Sequence, residues 1–170
     1  MKIGVSYNLF DGEELLESSI KSIRKNVDYI SVVYQTISNF GNPCDEGLVY
    51  LLEELKSKGL IDELFEYRPK VNKGGHFNEI KKRNLGLYLS EGAGCTHHMA
   101  IDSDEFYTDE QFKFMKQTMV DGDYDSSACQ MITYYKEPIY RLDPKEEYYV
   151  SLPFKIRQGI EFVMGHPFPI

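Results

Sequence analysis

Two short apolar runs separated by an amphipathic stretch constrain the fold of this chain most strongly. Residues 3–7 form the first run, and the β-branched segment Tyr29–Tyr34 forms the second. Between them, we expect a helix that begins at Asp11, with Glu14 three places later as its capping partner. Its buried face follows the helical period: Leu16, Ile20, Ile23 and Val27. The strand–helix–strand order predicts two parallel strands joined by a helical crossover.

The chain continues to alternate between helical and strand-like segments. Leucines at helical spacing predict a second helix that ends at Gly59, and residues 64–67 then form a third strand. A glycine-containing loop over residues 70–76 precedes a third helix, which residues 92–94 end. The predicted inner side of that helix consists of Phe77, Ile80, Asn84 and Leu87.

A buried strand over residues 96–101 is followed by a fourth helix that Thr108 and Gln111 cap. The inner side of this helix consists of Phe112, Met115 and Met119. Beyond residue 123, β-rich segments alternate with turn residues: 127–135, 139–142, 148–156 and 161–164. We therefore expect one α/β domain over residues 1–170, with a mostly parallel sheet and hairpins near the C-terminus. Ligands of such sheets bind along the carboxyl ends of the strands.

The composition limits the partners of the protein. Against 19 Lys and Arg stand 27 Asp and Glu, so the net charge of −8 repels a phosphate backbone and we expect no nucleic-acid partner. The three cysteines include no C-x-x-C pair and indicate a reducing compartment. The sequence contains no signal-like or membrane-spanning apolar stretch. We expect a cytoplasmic protein, and a peripheral enzyme at a membrane surface is compatible with that expectation.

Three acids follow the predicted fourth strand directly. Asp102, Asp104 and Glu105 crowd like charges together, and a divalent cation between them would relieve the repulsion. Their hard oxygen ligands suit Mg²⁺ or Mn²⁺, which commonly bridge to substrate phosphates. A solvated turn capped by acids is the alternative, and an isolated D-x-D motif favours that alternative.

The motifs around these acids resemble those of A-type (GT-A) glycosyltransferases, above all family 2. The likeness rests on an Arg-Asn-x-Gly helix, residues 83–86, followed by a glycine turn, an apolar strand and the acids of residues 102–105. The opening residues 5–8 also resemble the first strand and nucleotide loop of that family. This resemblance implies a three-layer nucleotide-diphospho-sugar transferase domain. Residues 1–107 would be its nucleotide-binding part and residues 108–170 its acceptor-side part.

The resemblance also implies roles for particular residues. Asp104 would bind Mn²⁺ or Mg²⁺ directly, and Asp102 would bind the donor ribose or the metal shell. Tyr7 and Asn8 would flank the nucleoside, and Arg83 would approach the diphosphate, where a guanidinium forks onto phosphate oxygens. The partners would be a nucleotide-diphosphate sugar and an unidentified glycan, lipid or protein acceptor.

The sequence departs from the family pattern in two places. Residues 34–38 lack the acidic turn that holds base and ribose in many members, so the base stays open. Residues 165–170, with which the chain ends, form a segment typical of the middle of a protein, so we expect a truncation. The sequence does not identify the residue that would activate the acceptor.

The histidines and two loop residues are weaker candidates. His166 is a candidate third metal ligand, because some A-type enzymes take one from a late histidine. His97 and His98 are adjacent on a strand and point to opposite faces, which favours structural roles. Lys73 and His76 in the glycine loop are minor candidates for ligand contact. Late tyrosines favour packing over sugar stacking: Tyr134, Tyr135, Tyr140, Tyr148 and Tyr149.

Two other functions compete with sugar transfer. One is a catalytically inactive nucleotide-sugar-like domain that only binds a ligand or partner. The other is a phosphatase of the haloacid dehalogenase type, in which Asp102 and Asp104 would be nucleophile and acid–base pair. Such phosphatases carry the motif on their first strand, whereas here it lies in the middle of the chain, which disfavours this alternative.

Overall fold

A computed structural model describes residues 1–137, 139–145, 147–166 and 169–170, and a six-stranded sheet lies at its centre. The strands are β1 (Ile3–Leu9), β2 (Tyr29–Tyr34), β3 (Glu63–Glu66), β4 (His97–Ile101), β5 (Ser126–Gln130) and β6 (Tyr149–Lys155). The helices are α1 (Leu16–Ile23), α2 (Leu48–Ser57), α3 (Gly75–Gly92) and α4 (Asp109–Asp121), with a 3-10 turn over Arg24–Asn26.

The sheet order is β3-β2-β1-β4-β6-β5, and its first four strands are parallel. Strand β6 runs antiparallel to β4, and β5 forms an antiparallel pair with β6. The opening strand–helix–strand unit is therefore confirmed, as is a hairpin on the C-terminal side. In the register of the sheet, Tyr7 of β1 lies opposite Val32 of β2 and Ile101 of β4, so these three strands end side by side.

One face of β1 builds the apolar core. Because side chains alternate along a strand, the odd positions point to one face. There, Ile3, Val5, Tyr7 and Leu9 have no exposed surface. They pack in one cluster with residues of α1, α2 and α4, among them Leu16, Ile20, Leu52, Leu55, Phe112, Met115 and Met119.

The even positions of β1 lie under α3. A Cβ on Gly4 would overlap the side chain of Ser90, and a Cβ on Gly86 would overlap that of Ser6. Small residues on both partners thus let the helix approach the strand closely. With α3 on one side and the other three helices on the opposite side, the domain has three layers, as the resemblance implied.

The buried side of α3 is more polar than its sequence suggests. Asn84 and Leu87 are buried as expected, whereas Phe77 and Ile80 are only partly buried. The four residues share one side of the helix as predicted, but only the two nearer its C-terminal end are fully buried. The residues buried instead include Asn78, Lys82 and Ser90.

Two local predictions are also corrected. Helix α1 begins at Leu16 and not at Asp11, because the Asp11 carboxylate accepts the Gly12 amide at 2.9 Å in a turn where Gly12 has a φ of +79°. Residues 139–142 and 161–164 are not strands; the first segment contributes only an isolated bridge between Tyr134 and Arg141.

The cap of α4 is confirmed, since Thr108 accepts the Gln111 amide at 3.4 Å. Pro167 and Phe168, in the closing stretch that suggested a truncation, lie outside the described residues. Within the described part of the chain, each helix is too short or too polar to cross a bilayer.

Candidate functional site

The predicted site residues of β1 and β4 lie at one edge of the sheet. Asn8 and Asp102 come directly after the paired residues Tyr7 and Ile101, at the carboxyl ends of two neighbouring parallel strands. Open α/β sheets bind ligands along that edge. The topology therefore brings together residues that are 94 positions apart, since Asn8 and Asp102 belong to strands with adjacent ends.

A chain of polar contacts joins these strand ends to α3. The side-chain amide of Asn8 donates to Glu79 Oε1 at 3.1 Å. Arg83 Nε donates to the same oxygen at 2.9 Å, and Arg83 Nη2 lies 3.5 Å from Asp102 Oδ1. Glu79 thus fixes the guanidinium so that its second edge faces the acidic loop.

Lys82 adds a second cation to Glu79 from inside the protein. Its ammonium lies 3.3 Å from Glu79 Oε2, and only 7% of its side chain is exposed. Burial raises the pKa of Glu79, but the charges of Lys82 and Arg83 and the hydrogen bonds outweigh it, so the net pKa lies below its usual range. Glu79 is therefore an ionised anchor for two cations spaced three and four residues along one helix.

The Arg-Asn-x-Gly segment has a distinct structural task at each position. Arg83 reaches the acidic loop, and Gly86 permits the close approach of α3 to Ser6. Asn84 holds the C-terminal segment: its amide donates to the Phe162 carbonyl at 2.9 Å, and its oxygen accepts the Phe162 amide at 2.7 Å. Through this motif, one turn of α3 contacts the acidic loop, strand β1 and the C-terminal segment.

Crowding among the acids after β4 disfavours their ionised forms. Desolvation raises the pKa of Asp102, with Glu79 and Asp104 acting in the same direction and Arg83 against them, although 54% of the side chain is exposed. Burial likewise raises the pKa of Glu105 to about 7, opposed by its hydrogen bond from Tyr107 and reinforced by Asp102 and Asp104. A cation beside these carboxylates would reverse both effects.

The acidic loop is anchored to the apolar layer through Glu105. The Tyr107 hydroxyl donates to Glu105 Oε2 at 2.8 Å, and the Ser19 hydroxyl donates to the Glu105 carbonyl at 2.6 Å. Ser19 also bonds the hydroxyl of Tyr7, at 3.0 Å, deep in the core. Tyr7 has no exposed surface, so it does not contact a nucleoside in this arrangement. Its contact with Ser19 instead helps to hold the acidic loop in place.

The acids offer a cation few protein ligands. Among the described residues, no three His, Cys, Asp or Glu side chains converge as a metal site made of protein alone would require. Asp102 and Asp104 are both exposed at the edge of the sheet. His166 is exposed as well, and its backbone amide bonds the Val163 carbonyl at 3.4 Å. Two carboxylates suit Mg²⁺ or Mn²⁺ that take their remaining ligands from water and phosphate.

The minor candidates lie outside this constellation. His98 is fully buried, its Nδ1 is 2.8 Å from Ser90 Oγ, and burial lowers its pKa to about 3, so a structural role fits it. His97 lies on the other face, partly buried. Lys73 is exposed in the loop before α3, and His76 is exposed in the first turn of that helix. The five late tyrosines are each exposed on more than half of their surface, so the packing interpretation is wrong for them.

Sequence reasoning missed Glu79, Lys82 and a set of amide oxygens near the strand ends. Glu79 and Lys82 precede Arg83 by four and one residues, a spacing that places carboxylate and guanidinium on one helix face. The oxygens are less visible from sequence. Asn8 Oδ1, Gln35 Oε1 and Asn39 Oδ1 are buried without a hydrogen-bond partner in the structure. Buried acceptors of this kind suit the N–H and O–H donors of a ligand.

Gln35 occupies the position where the expected acidic turn is missing. It follows β2 directly, is 1% exposed, and its side-chain amide donates to the Ile37 carbonyl at 2.7 Å. Its backbone amide donates to the Leu9 carbonyl at 3.0 Å, so it stands beside the end of β1. An amide that both donates and accepts thus replaces an acid that only accepts.

Comparison with known proteins identifies the fold. No protein-family model and no curated protein matches the sequence. Among solved structures, the chain is similar to the crystal structure of S. aureus TarS 1–349, with a TM-score of 0.54 and 15% sequence identity. The likeness covers 81% of this chain and 37% of that one, so this chain spans little more than a third of that structure. This likeness shows that the protein has a GT-A-like α/β fold.

Proposed function

We propose that this domain transfers a sugar from a nucleotide-diphosphate sugar to an acceptor hydroxyl. The observation that carries the proposal is the contact chain from Asn8 through Glu79 and Arg83 to Asp102, at the carboxyl edge of a GT-A-like sheet. It sets a fixed guanidinium beside the exposed carboxylate of Asp102, and the exposed Asp104 follows two residues later in the same loop. That pairing suits a diphosphate, which needs positive charge from two sides.

In the proposed site, Asp104 and Asp102 would hold a divalent cation, Mn²⁺ or Mg²⁺. The cation would supply Lewis acidity against the charge that develops on the departing nucleoside diphosphate. Arg83, oriented by Glu79, would fork onto the diphosphate oxygens. In the transfer itself, the acceptor oxygen bonds to the anomeric carbon, and the bond from that carbon to the diphosphate oxygen breaks. The nucleoside diphosphate leaves with the electron pair, and the proton of the acceptor hydroxyl passes to water or to the departing diphosphate.

The amide groups at the ends of β1 and β2 would bind the nucleoside. Asn8 offers an oxygen without a partner, and Gln35 and Asn39 offer two more. All three oxygens are buried, so the loops that follow β1 and β2 would have to open for a nucleoside to reach them. Base and ribose both carry N–H or O–H donors for such oxygens. The proposal gives Tyr7 an indirect part, as a support for Glu105 through Ser19.

His166 is proposed as an optional third ligand. Phe162, four residues before it, is fixed to Asn84 beside Arg83. A shift of residues 163–166 would be needed to bring the imidazole to Asp104. His166→Ala should then weaken Mn²⁺ binding about 10-fold or more if the histidine is a ligand, and leave it unchanged otherwise.

Calorimetry with nucleoside diphosphates tests the proposed function. UDP and GDP are titrated into the protein with Mn²⁺ and with a chelator, followed by their sugars in a turnover assay that detects released diphosphate. We expect Mn²⁺-dependent binding of one nucleotide and release of the diphosphate from its sugar. Binding without turnover on any sugar or acceptor would support the inactive binding domain, and failure to bind any nucleotide would contradict the proposal.

A further inference from the structure

A protruding hairpin follows β2 on the side of the sheet that carries the candidate site. The bridge between Ile37 and Pro43 closes it, and the Ser38 amide donates to the Asn42 carbonyl at 2.7 Å. Phe40 lies at its tip with 87% of its surface exposed. An ordered hairpin thus presents a large aromatic side chain to the solvent.

The loop after β3 lies against this hairpin. Its backbone is held by Asn78, which is fully buried and accepts from both the Tyr67 hydroxyl and the Lys70 amide. Val71 follows, 58% exposed. The side-chain nitrogen of Asn39, next to Phe40, is 3.5 Å from the position that a Cβ on Gly75 would occupy. The hairpin therefore lies beside the point where this loop ends and α3 begins, and each of the two loops exposes an apolar side chain.

The surface around these apolar residues is positive in an acidic chain. Residues 68–83 contain six Lys or Arg and a single acid, Glu79, although the whole chain has a net charge of −8. Two of the six cations pair with Glu79. The other four form no ion pair within the described part of the chain: Arg68, Lys70, Lys73 and Lys81.

An apolar residue arranges two of these cations. The ammonium groups of Lys70 and Lys81 each lie 5.9 Å from the centre of the Phe77 ring. The acids near the two loops are Asp45 and Glu46 at the base of the hairpin and Glu66 at the end of β3, and no acid lies between residues 67 and 78. Asp45 accepts the Gly47 amide before α2, and Glu66 accepts the Thr36 hydroxyl beside β3. Positive charge is therefore concentrated in the loop after β3 and the adjoining part of α3.

We propose that these two loops dock the protein on an anionic lipid bilayer. Lys and Arg near such a surface are attracted to its head groups, while exposed Phe and aliphatic side chains enter the interface. A soluble polyanion would use the four cations but would gain little from Phe40 and Val71. The paired presence of both features therefore favours a lipid surface.

The docking has a consequence for the candidate site. Both loops leave the carboxyl ends of β2 and β3, and the acidic loop leaves the same edge of the sheet at β4. A protein docked in this way would turn that edge toward the bilayer. The docking itself does not depend on the proposed sugar transfer, and either can fail without the other.

Vesicle co-sedimentation tests the docking surface. Vesicles of phosphatidylcholine alone are compared with vesicles that also contain phosphatidylglycerol, for the parent protein, Phe40→Ser, and the double variant Arg68→Gln with Lys73→Gln. The matched controls are Phe114→Ser, which removes a 75% exposed aromatic residue from α4, and Lys56→Gln, which removes an exposed charge from α2.

We expect the parent to sediment only with anionic vesicles. Each cation removed from the surface should weaken partitioning about fivefold, and Phe40→Ser should weaken it by at least as much. The controls should bind like the parent. Lack of binding to anionic vesicles, or equal binding by parent and all variants, would overturn the proposal. Weaker binding by the charge variant with no effect of Phe40→Ser would overturn it in favour of a soluble polyanion.

Discussion

The two faces of β1 show opposite ways of packing a helix on a sheet. On one face, four large side chains, Ile3, Val5, Tyr7 and Leu9, are completely buried against α1, α2 and α4. On the other face, Gly4 and Ser6 leave room for α3, whose buried residues are mainly polar. The first face is stabilised by the burial of a large apolar area. On the second face, small residues let the backbone of α3 approach the backbone of β1 closely.

The two faces therefore separate the contacts that stabilise the fold from the contacts that position the candidate site. Apolar burial is not directional and tolerates small displacements. The α3 face depends on directional contacts, such as those of Glu79 with Asn8 and Arg83, and these contacts end at the strand edge where ligands bind. We therefore expect substitutions on the two faces to have separable effects on stability and on ligand binding.

The largest effect should follow from opening the apolar face. Leu52→Ala leaves a cavity in a fully buried position of α2 and should lower the free energy of unfolding by about 2–5 kcal/mol. Leu15→Ala, at a 41% exposed position, is the matched control and should change it by less than about 1 kcal/mol. Urea unfolding measures both. Equal effects of the two substitutions would show that the apolar face is not the main source of stability.

A smaller effect should follow from separating α3 from β1. Gly86→Ala would normally stabilise a helix by about 1 kcal/mol, but here the new methyl group overlaps Ser6, so we expect a loss of about 1–3 kcal/mol. Gly92→Ala is the control, because a Cβ there meets no atom within 4 Å. Nucleotide affinity in the Gly86 variant should also fall, as Arg83 shifts with the helix. A Gly86 variant as stable as the Gly92 variant would contradict the close-packing account.

The smallest effect concerns pH and the acidic loop. Burial raises the pKa of Glu105 to about 7, above the value of about 4.3 expected when unfolded. The folded state therefore holds the proton more tightly, and this stability is complete below about pH 4 and is lost as the pH rises through 7. In metal-free buffer at pH 8, Glu105→Gln should be more stable than the parent by about 1 kcal/mol.

Thermal unfolding between pH 4 and 8 checks this expectation. The difference in unfolding temperature between the variant and the parent should increase with rising pH. Addition of Mn²⁺ and nucleotide should reduce that difference. Glu110→Gln, which changes an exposed acid on α4, is the control for a general effect of charge. A difference in unfolding temperature that does not change with pH would mean that Glu105 ionises as it does in the unfolded chain.

The sequence predicted the four parallel strands well because their signal is local, whereas two of the late segments predicted as β-rich, 139–142 and 161–164, are not strands. Each buried strand is a short apolar run, and the acids after β4 mark its end as clearly as Thr108 marks the start of α4. The start of α1 was predicted wrongly because Asp11 bonds the neighbouring Gly12 amide, a competing local structure.

The site was only partly predictable because its contacts are long-range. Asn8, Arg83 and Asp102 were identified through motif resemblance, and the topology joins their elements. The role of Glu79 depends on how α3 lies over β1, which helical periodicity does not reveal. The burial of Tyr7 follows from the alternation along β1, in which the large apolar residues occupy the odd positions and share one face. The motif resemblance, which assigned Tyr7 to the nucleoside, did not take that alternation into account.

Manganese binding in the presence of nucleoside diphosphate tests the central claim most directly. Electron paramagnetic resonance measures bound Mn²⁺ for the parent, for Asp104→Asn and for the control Asp121→Asn, which changes an exposed acid at the end of α4. The account predicts tight, nucleotide-dependent binding in the parent and the control, and at least 10-fold weaker binding in Asp104→Asn, with unfolding unchanged. Equal Mn²⁺ affinity in all three proteins would contradict it.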